Sequence, residues 1–111
     1  MTDTCVIWGP YVPLQPGHYE AKYIFDAVGL DNRPMTSQIL LDVAQNTKGI
    51  ASKTIVGEEG TKILRSGSAI VRFSNSEPGA FFEFRIFTEG RPFDGKLRFG
   101  GVFLSRVWSN G

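Results

Sequence analysis

The stretch Ala80-Phe81-Phe82-Glu83-Phe84-Arg85-Ile86-Phe87-Thr88 decides the fold. In an extended chain, Phe82, Phe84 and Ile86 fall on one side, and Phe81, Glu83, Arg85 and Phe87 fall on the other. Side chains alternate across a strand with period two, so one face is wholly apolar and the other mixes charge with aromatic rings. A helix would scatter both sets around its circumference. Aromatic and β-branched residues also suit the pleated, half-buried surface of a sheet. A strand with one apolar face must have that face covered by another element.

The same signature recurs on both sides of this segment. Residues 68–74 place Ala69, Val71 and Phe73 inward, and residues 75–79 form the intervening turn. Residues 18–28 set Tyr19, Ala21, Tyr23, Phe25 and Ala27 against His18, Glu20, Lys22, Ile24 and Asp26. Residues 96–107 place Leu97, Phe99, Phe103 and Val107 on one side, with Gly100-Gly101 marking a bulge or a close backbone approach. Cys5-Val6-Ile7-Trp8 reads as a short first strand. Pro10, Pro13 and Pro16 keep residues 10–16 out of a central strand and favour an extended edge or loop. Residues 37–46 could form a helix by propensity, but Ile39, Leu41 and Val43 also alternate with Gln38, Leu40 and Asp42. We take them as a strand that turns at Asn46-Thr47-Lys48-Gly49 into a return strand over residues 50–56. Residues 29–36, 58–67 and 89–95 read as loops. No convincing helix is expected. The result is an all-β chain, an antiparallel β-sandwich of the jelly-roll kind with about seven or eight strands.

Bulk properties agree. A chain of 111 residues fits a single domain over 1–111 and is long enough to bury a core. Nine Phe and 13 Gly suit strands joined by tight turns. Lys and Arg number 12 against 11 Asp and Glu, and a net charge of +1 lacks the basic stripe of a nucleic-acid binder. The same balance argues against a polybasic membrane anchor. The single cysteine, Cys5, rules out an intrachain disulfide. The first 17 residues lack a basic start and a long apolar run, so no signal peptide is read there. No apolar run is long enough to span a membrane. A soluble protein is expected, either cytoplasmic or a domain excised from a longer chain.

The residues that could carry chemistry are few. His18 has no second histidine or cysteine beside it to complete a zinc set, and it reads as a surface residue of a strand. Cys5 has no paired histidine and reads as a small strand residue. Carboxylates recur at Asp42, Glu58, Glu59, Glu83, Glu89 and Asp94, but a glycosidase needs two held across a bond at a set separation, and a chain this short without deep loops is not expected to form such a cleft. No catalytic residue, metal site or cofactor is therefore assigned, and an enzyme is not expected. Calcium could be held by loop oxygens of Asp31, Asn32 or Asp94, although no calcium-loop spacing is present.

Two surfaces stand out. Strand direction reverses at each turn, so the loops at 29–36, 58–67 and 89–96 share one end of the sandwich. They gather Asp31, Asn32, Arg33, Arg65, Glu89, Arg91, Phe93 and Asp94. A flat ring stacks on the C–H face of a sugar, while Asp, Asn and Arg bond its hydroxyls, so this mixture suits a glycan. The second surface is the outward face of residues 81–87, where Glu83 and Arg85 lie between Phe81 and Phe87, with Arg72 and Arg98 flanking. That face could bind a ligand, or it could be an exposed ion pair beside aromatics of a dimer contact.

A family resemblance adds to this. The run Gly9-Pro10-Tyr11-Val12-Pro13-Leu14-Gln15-Pro16-Gly17-His18-Tyr19-Glu20 pairs a Gly-Pro-Tyr opening with a Pro-Gly-x-Tyr turn. Leu41-Asp42-Val43-Ala44, Phe82-Glu83-Phe84-Arg85-Ile86 and Gly101-Val102-Phe103-Leu104 come after it in order. Together they resemble small β-sandwich domains attached to bacterial glycosyltransferases and other polysaccharide-related proteins, and more broadly galactose-binding-like jelly rolls and carbohydrate-binding modules. The resemblance implies a sugar-binding or accessory role. Its motifs serve turns and core positions, and they transfer no sugar-contacting residue. The expectation is a non-catalytic, lectin-like module that binds a glycan or polysaccharide. Its contacts would be Arg33, Arg91, Phe93 and Asp94, with Glu83 and Arg85 as second choice. The alternative is a structural or protein-interaction sandwich that forms a homo-oligomer through the strand face bearing Phe81 and Phe87.

Overall fold

The computed structural model describes residues 3–29, 34–89 and 96–107. Seven strands run in order: β1 (Asp3–Leu14), β2 (Gly17–Val28), β3 (Met35–Gln45), β4 (Lys48–Val56), β5 (Ser68–Asn75), β6 (Ala80–Glu89) and β7 (Lys96–Val107). One helix, α1 (Gly57–Ser66), links β4 to β5. The strands form two antiparallel sheets, a four-stranded sheet in the order β1-β6-β3-β4 and a three-stranded sheet in the order β5-β2-β7. Every connection between consecutive strands crosses from one sheet to the other except the β3–β4 hairpin. The all-β sandwich expected from the alternation is therefore the observed architecture. Among the described residues no helix is long and apolar enough to cross a membrane.

The core lies between the sheets and is built from the inward phase of each strand. Tyr19, Ala21, Tyr23 and Phe25 of β2 and Ala69, Val71 and Phe73 of β5 face Ile39, Leu41 and Val43 of β3 and Phe82, Phe84 and Ile86 of β6. Aromatic rings join the layers: Phe73 meets Phe82 at 5.2 Å and Phe84 at 6.0 Å between centroids, and Tyr23 meets Phe84 edge-on at 6.5 Å. Such offset and edge contacts are the favoured ring geometries. The buried Tyr23 hydroxyl donates to the Asp42 carbonyl at 2.7 Å, so a side chain of one sheet hydrogen-bonds the backbone of the other. Burial raises the pKa of this phenol, and the nearby Asp42 charge adds to the effect. Asn75 fastens the β5–β6 turn: its amide donates to the carbonyls of Leu14 and Glu77, and its side-chain oxygen accepts the Glu77 N–H.

Three details differ from the sequence-based expectation. Residues 58–67, expected as a loop, are mostly helix. Glu58 and Glu59 lie in the first turn and Arg65 in the last, each complementing the helix dipole. Gly67 ends the helix at φ 85°, in the left-handed region, and its N–H reaches back to the carbonyls of Ile63 and Leu64. The buried side of α1 is Gly60, Thr61 and Leu64, with Ile63 partly buried against the core, so the segment is amphipathic although it holds only two large apolar residues. The first strand is longer than Cys5–Trp8 and runs through Pro10 and Pro13. An edge position makes this tolerable, since a missing N–H breaks no inner ladder, and residues 9–11 form a bulge between Trp8 and Val12. In β7 the expected Gly100-Gly101 bulge is present, with Ile24 paired to Gly101 and Phe25 to Phe99. The extra residue reverses the phase beyond it. Leu97 and Phe99 pack on the core as expected, but Val102 and Leu104 take the inward positions and Phe103 is exposed.

The β3–β4 hairpin turns through Asn46 at φ 49° and Thr47 at φ 72°. Two left-handed residues in a two-residue loop match the twist of the flanking strands. Asn46 suits that region, but a β-branched threonine does not. Replacing Thr47 with glycine is expected to stabilise the fold by about 1 kcal/mol, from the usual left-handed penalty. Urea unfolding would show it as a higher midpoint at unchanged slope.

Candidate functional site at one end of the sandwich

The strand ends converge as the alternating loop rule requires. Val28 at the end of β2 pairs with Lys96 at the start of β7, and Met35 at the start of β3 bridges to Gly57 at the start of α1. Thr88, near the end of β6, pairs with Ile39 of β3, which in turn pairs with Ile55 near the end of β4. The connections 29–34, 57–67 and 90–95 therefore spring from the same end. Arg33, Arg91, Phe93 and Asp94, and the calcium candidates Asp31 and Asn32, lie outside the described residues.

A cleft of about 270 Å³ lies at this end, lined by Phe25, Asp26, Ala27, Gly29, Leu64, Arg65 and Gly67. Its origin is a mismatch in strand length. β5 pairs with β2 only as far as Ile24 opposite Ser68. Beyond that point the C-terminal turn of α1 takes the place of β5, and the Phe25 N–H donates to the Gly67 carbonyl at 3.0 Å. Ala27 has the same ladder phase as Phe25, so its backbone groups are directed to the same side with no β5 residue opposite. Asp26 and Arg65, one acidic and one basic residue, also line it. The cleft is thus walled by backbone groups, one anion and one cation, a set that can accept from and donate to hydroxyls. Arg65 was among the loop residues expected here. Asp26 was not, because strand alternation assigns it to a polar face and gives no sign that β5 stops short of it.

The second expected surface is different. Asp42 of β3 and Arg85 of β6 are register partners on the outward face of the four-stranded sheet, and Arg85 donates to the Asp42 carboxylate through both Nε, at 2.7 Å, and Nη2. Their side chains are only 10% and 22% exposed. Gly49 leaves room for the pair, since a Cβ there would lie 3.0 Å from Asp42 Oδ1. The guanidinium also lies over the Phe87 ring, 5.4 Å from its centroid. Glu83 is 7% exposed, beside the buried Ala44 and opposite the β1 bulge at residues 9–11. Arg85 is therefore committed to an internal contact, and the middle of this face is closed. Arg72 and Arg98 do not flank it: they lie on β5 and β7, in the other sheet, where Arg72 pairs with Glu20 at 2.9 Å.

No group of three or more His, Cys, Asp or Glu side chains among the described residues could hold a metal ion. No protein-family model, curated protein or solved structure matches the chain.

Proposed function

We propose that the protein is a non-catalytic glycan-binding module whose site is the loop end of the sandwich. The observation that supports this reading is the cleft between the part of β2 that β5 does not cover and the C-terminal turn of α1, at the end of the sandwich where β2, β4 and β6 finish. At about 270 Å³ it falls near the lower limit of small-ligand sites, roughly 300–1,000 Å³, which suits one sugar residue of a longer chain. Asp26 accepts from hydroxyls and Arg65 donates to them, while Arg33, Arg91, Phe93 and Asp94 fall in sequence between strands whose ends lie at this end of the sandwich. Phe93 is the residue we assign to stacking. Affinity at such a shallow site is weak per copy and is raised by multivalency.

A glycan array followed by titration calorimetry tests the reading. Asp26→Ala and Arg65→Ala should each weaken a hit by about tenfold or more, the usual value of a hydrogen bond to a charged group. Retained affinity in both variants would move the site elsewhere.

A further inference from the structure

The outer face of the three-stranded sheet carries no other element of the described chain, and among its charged and polar residues, with Lys22 at the middle, it exposes an apolar band. Three of the six exposed large hydrophobics among the described residues lie on it: Val28 at 49%, Ile70 at 41% and Phe103 at 62%. Ile70, Lys22 and Phe103 form one cross-strand row, with Ile24 in the next. Acid and base flank this band at each end. Glu20 pairs with Arg72 on one side, and Asp26 is the register partner of Arg98 on the other. At the Glu20 end, a depression of about 370 Å³ is lined by His18, Tyr19, Arg72, Phe73, Ser74 and Val107.

These features match themselves when inverted. We propose that this face binds a second copy of the chain, through a two-fold axis crossing β2 between Lys22 and Ile24. The axis sets β2 antiparallel over its counterpart, so that position 22 lies over 24, 20 over 26 and 18 over 28 of the other copy. Val28 of each copy then enters the depression beside His18 in the other. Phe103 lies over the exposed Gly100, which offers backbone and no side chain. Glu20 and Arg72 meet Asp26 and Arg98, a quartet of two acids and two bases with no net charge, so dimerisation and the proposed glycan contact compete for Asp26. A two-fold contact requires such self-complementarity. From strand spacing and rise the face measures roughly 14 by 35 Å. That is near the lower end of specific interfaces, so the dimer is weak and its formation depends on concentration.

Sedimentation velocity from micromolar to millimolar protein tests this. The wild type should shift from monomer to dimer across that range, and Phe103→Glu should remain monomeric while keeping the same circular dichroism. Glu20→Arg and Arg98→Glu should each weaken association by at least about tenfold, because each unbalances the quartet. The double variant Glu20→Arg/Arg98→Glu should restore it, since two bases then face two acids. Phe81→Glu, on the other sheet, should leave it unchanged. A wild type that stays monomeric throughout, or a double variant no better than the singles, would overturn the proposal.

Discussion

Replacing Phe84 with alanine should cost about 3–5 kcal/mol, a large part of the roughly 5–15 kcal/mol by which a domain of this kind is stable. Phe84 is almost fully buried at the centre of β6, and its ring touches Tyr23 of β2 and Phe73 of β5. It is thus one of the side chains through which the two sheets meet. The cost has two parts, the lost transfer energy of the ring and the cavity left among neighbours that cannot collapse. Phe84→Leu should recover most of the loss, because it restores most of the volume. Phe81→Ala, on the outward face of the same strand and half exposed, should cost far less. Equal losses at positions 81 and 84 would contradict the assigned facing of β6. Thermal and urea unfolding provide the measurement.

Arg85→Ala is expected to cost a similar amount, about 3–5 kcal/mol, for a different reason. It leaves the Asp42 carboxylate on a closed part of the sheet without the guanidinium that holds it. The penalty belongs to the stranded charge rather than to the pair. Replacing both partners with apolar residues, as in Asp42→Val/Arg85→Leu, should therefore be much milder than either single change. Additive losses in the double-mutant cycle would show that the two residues act independently, against the bonded geometry. The cycle also separates structure from function, since the sequence offered Arg85 as a ligand contact.

The contrast between these two residues shows what the sequence could reveal. Phe84 was legible because strand alternation is local: each of β2, β5 and β6 displays its inward set within a few residues. The Asp42–Arg85 pair spans 43 positions, and only the β3–β6 register brings it together. Asp42 alone looks like an ordinary outward polar residue. The bulge at Gly100-Gly101 was legible as a glycine pair, but its consequence was not. One extra residue moved Phe103 from the core to the surface and put Val102 and Leu104 in its place. Helix α1 was legible in the sequence, since Gly60, Ile63 and Leu64 share one helical side and Glu58-Glu59 and Gly67 are sound start and stop signals, but a ten-residue segment with two large apolar residues reads easily as a loop. For the candidate site, the loop end followed from strand reversal alone. The cleft within it did not, because it depends on where β5 stops relative to β2, a tertiary fact with no sequence marker.

Glycan binding in the cleft between β2 and the end of α1 is tested most directly by amide chemical-shift mapping. The ¹⁵N-labelled protein would be titrated with the strongest glycan from an array. Saturable shifts are expected, centred on Asp26, Ala27, Gly29, Leu64, Arg65 and Gly67, the residues that line the cleft, and on the adjoining connections. Shifts confined to other faces, or none with any glycan at millimolar concentration, would contradict a site at this end of the sandwich.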